Sequence, residues 1–423
     1  MPNKPLFMNI AIVGAGIVGV TTAYELARDG HSVTVFEQRS ATAEEASFAT
    51  GGLLAPGVLV PWSAPGAAQN PSVFGRAATL RLGRSLSATD LAWLRRWRRA
   101  ARGYARSAVP QPPLLALERL ARYSHARLQE LSTVLDLQFE RSAGALLLLR
   151  TRGDAAALQP VVQALRDAGT VAVEMDADAA RKIEPGLSPD TPLAGALHLP
   201  QGEAGNCRQF ALLLRQAAQQ LGAQFQFNAT VQRLTQAPAG LQLKGDTAPQ
   251  RFDAVVLCAG VASTILLAPL GVRLPLVALH GCSISAPLRE ALHAPLSAVI
   301  DAHHQVSIER LGQRVRVSGG AELGRSSTDP HPATLRTLYQ VLSDWFPGGT
   351  HLSGNFQVWR GARPALPDGP PVVSASGVPG VWLNLGHGAS GWALACGSAR
   401  ALADIVAGRA PDISLEGLDA QRF

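Results

Sequence analysis

The sequence predicts a mixed α/β fold, in which a Rossmann-type dinucleotide-binding domain is combined with a discontinuous substrate domain built on an antiparallel sheet. Three observations lead to this prediction. An N-terminal strand, glycine turn, helix and second strand form a βαβ unit. Alternating residues over 274–286, 305–308 and 314–317 are typical of antiparallel strands. A last strand, glycine turn and helix over 381–407 return the chain to α/β form.

The N-terminal unit consists of strand 9–13, helix 17–28 and strand 32–36. The first strand is an apolar run that stops at glycine, as buried parallel strands do. Asp29-Gly30 ends the helix with a C-cap signal. Residues 53–113 are rich in Pro, Gly and Trp and show no clear alternation. Apolar periodicity predicts the remaining elements, namely helices 114–135, 155–168, 210–221, 333–345 and 392–407 and strands 144–150, 224–227, 252–258 and 381–385.

Rossmann-like segments therefore occur at the start, near 200–260 and at the end of the chain, with sheet and helix segments between them. This order predicts two discontinuous domains rather than two consecutive ones. We assign to the dinucleotide-binding domain residues 1–60, 185–265 and 347–423, and to the substrate domain residues 61–184 and 266–346.

The composition excludes several classes of protein. With 47% hydrophobic and 16% charged residues, the chain buries a large core and is not disordered. The net charge of +7 is compatible with a nucleic-acid partner, but only three of the basic residues are lysines, and no such partner is expected. The four cysteines lack metal-binding spacing, which predicts buried free thiols and no metal site.

The start of the chain and its apolar runs bear on localisation. Residues 1–7 are too short and polar for a signal peptide. The apolar runs are shorter than the roughly 20 residues that cross a bilayer. We therefore expect a cytoplasmic protein, with peripheral attachment to the inner membrane as an open alternative.

The glycine motif GAGIVG over 14–19 lies between the first strand and the first helix. Gly14 allows the tight turn, Gly16 lets the backbone approach a diphosphate, and Gly19 lets helix and strand pack closely. Glu37 closes the second strand, where an acidic residue binds ribose hydroxyls and disfavours a 2′-phosphate. The cofactor contacts predicted from this unit are Gly14, Ala15, Gly16, Ile17, Val18, Gly19, Glu37 and Gln38.

Two further segments indicate FAD rather than a nicotinamide cofactor. Residues 44–52 read EEASFATGG, where small residues and paired glycines let the backbone lie against a flavin. Residues 384–392 read NLGHGASGW and open a helix whose N-terminus suits the electron-rich end of a reduced flavin. The alternative is a plain glycine-rich turn. The contacts predicted here are Ser47, Thr50, Gly51, Gly52, Leu53, Gly386, His387, Gly388, Ser390 and Gly391.

A candidate substrate-binding residue lies in residues 359–371, which read WRGARPALPDGPP. Arg363-Pro364 is held between a strand end and proline turns. A rigidly placed arginine binds a carboxylate through two parallel hydrogen bonds. The alternative is a surface arginine in a loop.

Together these motifs resemble the FAD-dependent D-amino-acid dehydrogenase family, within the D-amino-acid oxidase/glycine oxidase superfamily. The matching stretches run in the same order from residue 11 to residue 409, and PWSAPG and GHGASGW are specific to the dehydrogenase branch. They read AIVGAGIVGVTTAYELARDGHSVTVFE, GGLLAPGVLVPWSAPG, RVRVSGGAELG, WRGARPALPDG and VWLNLGHGASGWALACGSARALADIVAGR.

The resemblance implies oxidation of an amino acid at the Cα–N bond, with hydride transfer to FAD. We expect the FAD to be non-covalent, because no cysteine or histidine lies in a motif that demands covalent attachment. The imino acid then hydrolyses to a 2-oxo acid and ammonia, and the electrons pass to a quinone or another acceptor. The resemblance also implies that Arg363 binds the substrate carboxylate, that the backbone of Val231 contacts adenine, and that Ala259-Gly260 lies near the cofactor. No catalytic side chain is assigned, because a neutral amine needs no strong base.

The chain departs from this family in its substrate half. His280-Gly281-Cys282 replaces Lys-Gly-Tyr, and His304 replaces a tyrosine near the carboxylate. Both His304 and His280 are therefore candidates for the substrate pocket, although His304 is equally typical of a polar loop. His387 is predicted either near the flavin or pointing to solvent. Glycine, sarcosine or a cyclic amino acid such as proline is the alternative substrate, and a flavin-containing nucleic-acid modifier is the alternative from another class.

Residues 91–106 read LAWLRRWRRAARGYAR and have a helical pattern with two faces. The tryptophans are predicted either to pack into the substrate domain or to lie at a lipid headgroup boundary. The arginine face is predicted to meet anionic lipid. Its members are Arg95, Arg99, Arg102 and Arg106.

Overall fold

A computed structural model describes residues 7–56, 80–106, 112–167, 169–324, 329–351 and 356–423. The helices are α1 (Ile17–Arg28), α2 (Ala88–Arg106), α3 (Pro112–Val134), α4 (Arg152–Asp167), α5 (Ala177–Ile183), α6 (Cys207–Gln220), α7 (Ser263–Leu267), α8 (Pro332–Trp345) and α9 (Gly391–Val406). The strands of the first half are β1 (Asn9–Val13), β2 (Ser32–Phe36), β3 (Leu53–Leu54), β4 (Arg81–Leu82), β5 (Arg141–Leu149), β6 (Val173–Met175), β7 (Gly195–Gly205) and β8 (Gln224–Gln226). The later strands are β9 (Val231–Thr235), β10 (Gly240–Leu243), β11 (Gln250–Arg251), β12 (Ala254–Leu257), β13 (Val277–Pro287), β14 (Ala298–Asp301), β15 (Val306–Leu311), β16 (Arg314–Leu323), β17 (Gln357–Ala365), β18 (Val372–Ala375) and β19 (Val381–Leu385).

The first sheet has the strand order β18-β19-β12-β1-β2-β8, and only the β18–β19 pair is antiparallel. Strand β1, near the centre of this sheet, is apolar on both faces because other elements cover both faces of the sheet. Ile10 and Ile12 of β1 pack against the helical layer. Ala11 and Val13 pack toward the three-stranded sheet β11-β10-β9. This double cover explains why β1 reads as an unbroken apolar run.

A buried ionic cluster joins three helices of that layer. Glu25 on α1 is fully buried. Its carboxylate accepts hydrogen bonds from Arg127 on α3 at 2.7 Å and from Arg400 on α9 at 2.8 Å. A buried carboxylate requires such partners, since desolvation of an unpaired charge costs several kcal/mol. The cluster therefore docks α3 on the first sheet's helical layer.

The second sheet contains ten strands, eight of them in the order β17-β13-β16-β15-β14-β5-β7-β3. Most of its pairs are antiparallel, and alternate residues face opposite sides. Ile284, Ile308 and Val317 pack beneath α8 around Trp345. On the other face, the hydroxyl of Ser283 donates to the carbonyl of Ala49 at 2.7 Å. The polar face of this sheet therefore contacts the loop between β2 and β3 instead of solvent.

The predicted bounds of strands 9–13, 32–36 and 381–385 and of helix 17–28 match those of β1, β2, β19 and α1. Strand β7 was not predicted, and of β17 only a strand end before Arg363 was predicted. Each strand contains a proline, which argues against a strand. Strand β17 lies at the edge of its sheet, where a proline is tolerated.

Sheet pairing differs from the predicted division of the chain at three places. Residues 53–54, 195–205 and 357–365 pair within the second sheet, although we assigned them to the dinucleotide-binding domain. Elsewhere the division stays a prediction. The motif PWSAPG over 61–66 lies outside the described residues. No helix of the described residues is long and apolar enough to cross a membrane.

Candidate cofactor and substrate site

A groove of about 340 Å³ opens where β1, β2, β12 and β19 end. In open α/β sheets, ligands bind at the carboxyl ends of the strands. The groove brings together most of the residues that the sequence predicted for cofactor binding. Those that line it are Gly14, Gly16, Ile17, Val18, Glu37, Gln38, Ser47, Thr50, Val231, Ala259, Gly260, Gly386, His387, Gly388 and Gly391.

The three motif glycines have different physical roles. A Cβ on Gly14 would lie 2.7 Å from the Cys258 carbonyl oxygen, and Gly14 has a φ of +102°. A Cβ on Gly19 would lie 1.9 Å from the Gly14 carbonyl oxygen, so helix and strand meet only through glycine. A Cβ on Gly16 meets only the Ser47 hydroxyl, at 3.4 Å. A side chain at Gly16 would therefore enter the groove without disturbing the fold.

Hydrogen bonds tie the loop after β2 to the start of α1. One carboxylate oxygen of Glu37 accepts the Ala15 N–H at 2.7 Å, and the other accepts the Arg39 N–H at 2.8 Å. The Ser47 hydroxyl accepts the Ile17 N–H at 3.1 Å. Ala15 is itself fully buried behind the groove. Glu37 thus shapes the glycine turn while lining the groove.

A second helix, α9, begins at the same groove through the turn 386–391. His387 in this turn is buried, and its Nε2 lies 3.0 Å from the Ser398 hydroxyl. Burial lowers the pKa of His387 to about 3, so the imidazole is neutral at physiological pH. The solvent-pointing alternative for this side chain is therefore wrong. The N-termini of α1 and α9 both face the groove, an arrangement that favours bound anionic groups.

The groove fits a flavin dinucleotide. The turn at Gly16 leaves room for a diphosphate, and Glu37 lies at the end of β2, where a ribose binds. The start of α9 suits the electron-rich flavin ring. Three predicted contacts lie behind the groove wall, namely Ala15, Gly19 and Gly52. Three others line a second cavity instead, namely Gly51, Leu53 and Ser390.

Arg363 lies on β17 at the junction of the groove and the second cavity. Its side chain crosses β13 at Gly281, where a Cβ would lie 2.2 Å from the guanidinium carbon. One guanidinium nitrogen donates to the Gly320 carbonyl at 2.8 Å. Among the described residues Arg363 has no acidic partner, and burial lowers its pKa from the ordinary value. A partly desolvated cation without a counter-ion favours the binding of an anion.

The second cavity has a volume of about 120 Å³. Its aliphatic wall is formed by Leu53, Leu147, Leu158, Ile300 and Ala302, and Ala389, Trp392 and Ala393 at the start of α9 also line it. Its polar wall is formed by Thr50, Gln305, Ser307, Ser318, Arg363 and Ser390. Gln305 has a φ of +52°, a conformation that is uncommon for non-glycine residues and often marks functional sites. The apolar members come from several separate elements, which is why sequence periodicity did not identify them.

The structure places the two candidate histidines away from this cavity. The backbone N–H of His304 donates to Asp301 at 2.9 Å, and its Nδ1 lies 3.2 Å from the same carboxylate. The cavity position belongs to Gln305, one residue later. His280 lies on β13 in register with Glu322, on the face opposite Gly281 and Arg363. The expectation that these histidines line the pocket is corrected accordingly.

Glu309 is a buried acidic residue that the sequence did not identify as a candidate for the site. It is fully buried on β15, and its Oε1 would lie 3.6 Å from a Cβ on Gly51. Its register partner Arg316 donates to the Thr50 carbonyl at 3.0 Å. Burial raises the pKa of Glu309 to about 7. Alternation along β15 was visible in the sequence, but the polar face of a strand is normally assigned to solvent.

Comparisons with known proteins show the family of this chain. A family model described as FAD dependent oxidoreductase matches residues 9–405. The chain is 40% identical to a D-amino acid dehydrogenase of Cereibacter sphaeroides, over 98% of this chain and 95% of that protein. It is 36% identical to a D-amino acid dehydrogenase of Allorhizobium ampelinum, over 98% of this chain and 99% of that protein.

Solved structures share the fold. Glycine oxidase from Geobacillus kaustophilus matches with a TM-score of 0.76 at 20% identity, over 99% of each chain. L-proline dehydrogenase from P. horikoshii matches with a TM-score of 0.75 at 16% identity, over 99% of this chain and 98% of that one. The predicted fold class is therefore confirmed, whereas identities this low carry no conclusion about substrate.

Gly16→Val is expected to yield a folded protein without flavin, because the new side chain occupies the groove and not the core. Flavin content is measured from visible absorbance per mole of protein, and folding from circular dichroism. Gly153→Val is the control, since its Cβ makes only an ordinary 3.5 Å contact with Thr151 outside the groove. Full flavin content in folded Gly16→Val would contradict the cofactor site.

Glu309→Gln is expected to stabilise the protein more at pH 8 than at pH 5. The folded-state pKa of Glu309 is about 7, above its ordinary value of 4.5, so the folded state binds the proton more tightly. Wild-type stability therefore falls as pH rises from about 4.5 to 7, by up to about 3 kcal/mol. Denaturant unfolding at both pH values measures this difference. The exposed Glu416→Gln serves as control, and an equal effect of Glu309→Gln at both pH values would refute the shift.

Proposed function

We propose that this chain, which belongs to the family of FAD-dependent oxidoreductases, is a D-amino acid dehydrogenase whose substrate carboxylate binds Arg363. The observation that carries the proposal is the position of that guanidinium. It is half-buried, has no acidic partner among the described residues, and lies where the FAD groove meets the second cavity. An amino acid supplies the carboxylate that this position requires.

The predictions of enzyme class and of FAD as cofactor are confirmed by the family match over 9–405. When bound, FAD accepts the hydride that leaves the substrate Cα. The protein contributes mainly positioning. Arg363 holds the carboxylate, and Gly281 lets its side chain reach that position. Non-covalent attachment of FAD stays a prediction.

The polar groups near Arg363 are suited to an uncharged amine. The Ser318 hydroxyl is buried on the cavity wall and has no hydrogen-bond partner among the described residues. It can therefore accept a hydrogen bond from the amine. His387 is hydrogen-bonded to Ser398, and its pKa of about 3 makes it a weak base. This arrangement supports oxidation of a neutral amine, with hydrolysis of the imino acid in water.

Glycine, sarcosine and proline were kept as alternative substrates because of His304 and Cys282. His304 bonds Asp301, and Cys282 is buried in the cluster beneath α8. Neither side chain lines the second cavity. The observations that motivated these alternatives therefore lie outside the site. The nucleic-acid alternative rests only on the net charge of +7.

A quinone is the proposed electron acceptor, and α2 is the proposed contact with the membrane that holds it. Trp93 is buried, and its indole N–H donates to the Ala365 carbonyl at 3.0 Å, with Trp97 stacked against it. The tryptophans thus pack inward, so they do not form a headgroup anchor. Arg95 and Arg99 are exposed on the same helix. The side chains of Arg102 and Arg106 lie outside the described residues.

Arg363→Ala is expected to lower kcat/KM for D-amino acids by about tenfold to a hundredfold, since a charge-assisted hydrogen bond contributes roughly 1.5–3 kcal/mol. Flavin reduction by amines that lack a carboxylate should change much less. Arg251→Ala, an exposed arginine far from the groove, is the matched control. Unchanged kcat/KM in folded, flavin-loaded Arg363→Ala would remove this residue from the site.

Wild-type protein is expected to co-sediment with anionic liposomes at low salt and to be released as salt rises, because salt screens exposed charge. Arg95→Gln combined with Arg99→Gln should leave more protein in the supernatant. Arg251→Gln combined with Arg336→Gln removes the same charge from other exposed positions and is the control. Equal sedimentation of the two double variants would exclude α2 as the contact.

A further inference from the structure

The side chain of Arg363 forms the charged end of the second cavity. The residue belongs to β17, at the sheet edge, but its side chain crosses β13 over Gly281 and bonds Gly320 on β16. The guanidinium therefore lies over the middle of the sheet. Next to it, Ser318 on β16 and Ser307 on β15 are register partners and line the same cavity.

The apolar end of the cavity lies farther along the same strand order. Ile300 on β14 and Leu147 on β5 are register partners, and both line the cavity. Leu53 of β3 and Leu158 of α4 complete this end. Arg363 is the one charged side chain that lines the cavity among the described residues. The cavity thus runs from a cation, past two hydroxyls, to an aliphatic wall.

The dimensions of the cavity suit a medium-sized side chain. From β16 to β14 there are two strand spacings, or roughly 10 Å. The volume is about 120 Å³, and an apolar cavity of roughly 150 Å³ is large enough for benzene. By the same scaling the cavity takes about five heavy atoms. It therefore accommodates an aliphatic group of about four heavy atoms when the carboxylate binds Arg363 from the groove side of their junction.

We propose that the cavity selects amino acids with an uncharged aliphatic side chain of leucine or methionine size. This inference rests on the dehydrogenase function proposed above. The specificity-determining residues are Leu53, Leu147, Leu158 and Ile300. Glycine would leave this wall without contact, and a charged side chain would lose its hydration without gaining a partner.

Helix α4 offers a matched pair of residues to test this selection. Leu158 and Leu165 are both buried on α4, and both belong to one hydrophobic cluster. Only Leu158 lines the cavity. The first turn of α4 is held to the cavity turn by Asp154, whose carboxylate lies 3.1 Å from Nδ1 of His303. Truncating either leucine removes similar apolar contact, but only one truncation changes the cavity.

The first measurement uses the wild-type holoenzyme and its anaerobic flavin bleaching, with kcat/KM from an artificial electron acceptor. D-leucine and D-methionine are expected to exceed D-alanine about tenfold or more, because each buried methylene contributes about fourfold. D-glutamate, D-lysine and glycine should fall at least tenfold below D-leucine. Preference for D-glutamate or D-lysine overturns the selection but leaves the dehydrogenase function intact, whereas preference for glycine overturns both. Bleaching by no amino acid overturns both.

The second measurement compares variants. Leu158→Ala should lower the ratio of kcat/KM for D-leucine over D-alanine about tenfold and raise the relative rate with D-phenylalanine. Leu165→Ala should lose similar thermal stability and keep the wild-type ratio. If Leu158→Ala does not fold, Ile300→Val removes one methylene and should lower the ratio about fourfold. Equal ratios in wild type and the folded cavity variants overturn the proposal.

Discussion

The desolvated guanidinium of Arg363 is the constraint on which the site depends. Burying a cation without a counter-ion is costly unless hydrogen bonds partly replace the lost water. Among the described residues, one such bond joins Arg363 to the Gly320 carbonyl. Gly281 leaves room for the arginine side chain because it has no Cβ. The remaining donors are available to a planar anion.

Polar contacts between the two sheets place that cation beside the FAD groove. Ser283 bonds Ala49, and Arg316 bonds Thr50, so two strands of the second sheet hold the loop that precedes β3. Glu309 is buried beneath the same loop. These contacts make one loop the shared wall of both cavities, since Thr50 lines each of them. Cofactor and substrate positions are therefore set by a single piece of backbone.

Local signals made the cofactor groove predictable. The turn at Gly14, the helix after it and Glu37 lie within thirty residues of one another, and short-range sterics define their geometry. The second cavity has no such local signal. Leu53, Leu147, Leu158 and Ile300 meet only because of strand order and helix packing. Proline also obscured the extent of β17, the strand that carries Arg363, because an edge strand tolerates a residue that the middle of a sheet does not.

The error over His304 has a physical cause that applies more widely. An expectation based on sequence places a residue on a strand, but a turn decides which neighbour faces the cavity. Asp301 binds both the backbone and the ring of His304, and it also accepts the Trp345 indole N–H at 2.7 Å and Arg150 at 2.7 Å. These bonds hold the pKa of Asp301 at about 2, so it stays ionised at physiological pH and holds the turn. The turn then directs Gln305, in a left-handed conformation, into the cavity. The contacts of His304 with Asp301 hold this turn, so His304 affects the site through the backbone of the turn and not by lining the cavity.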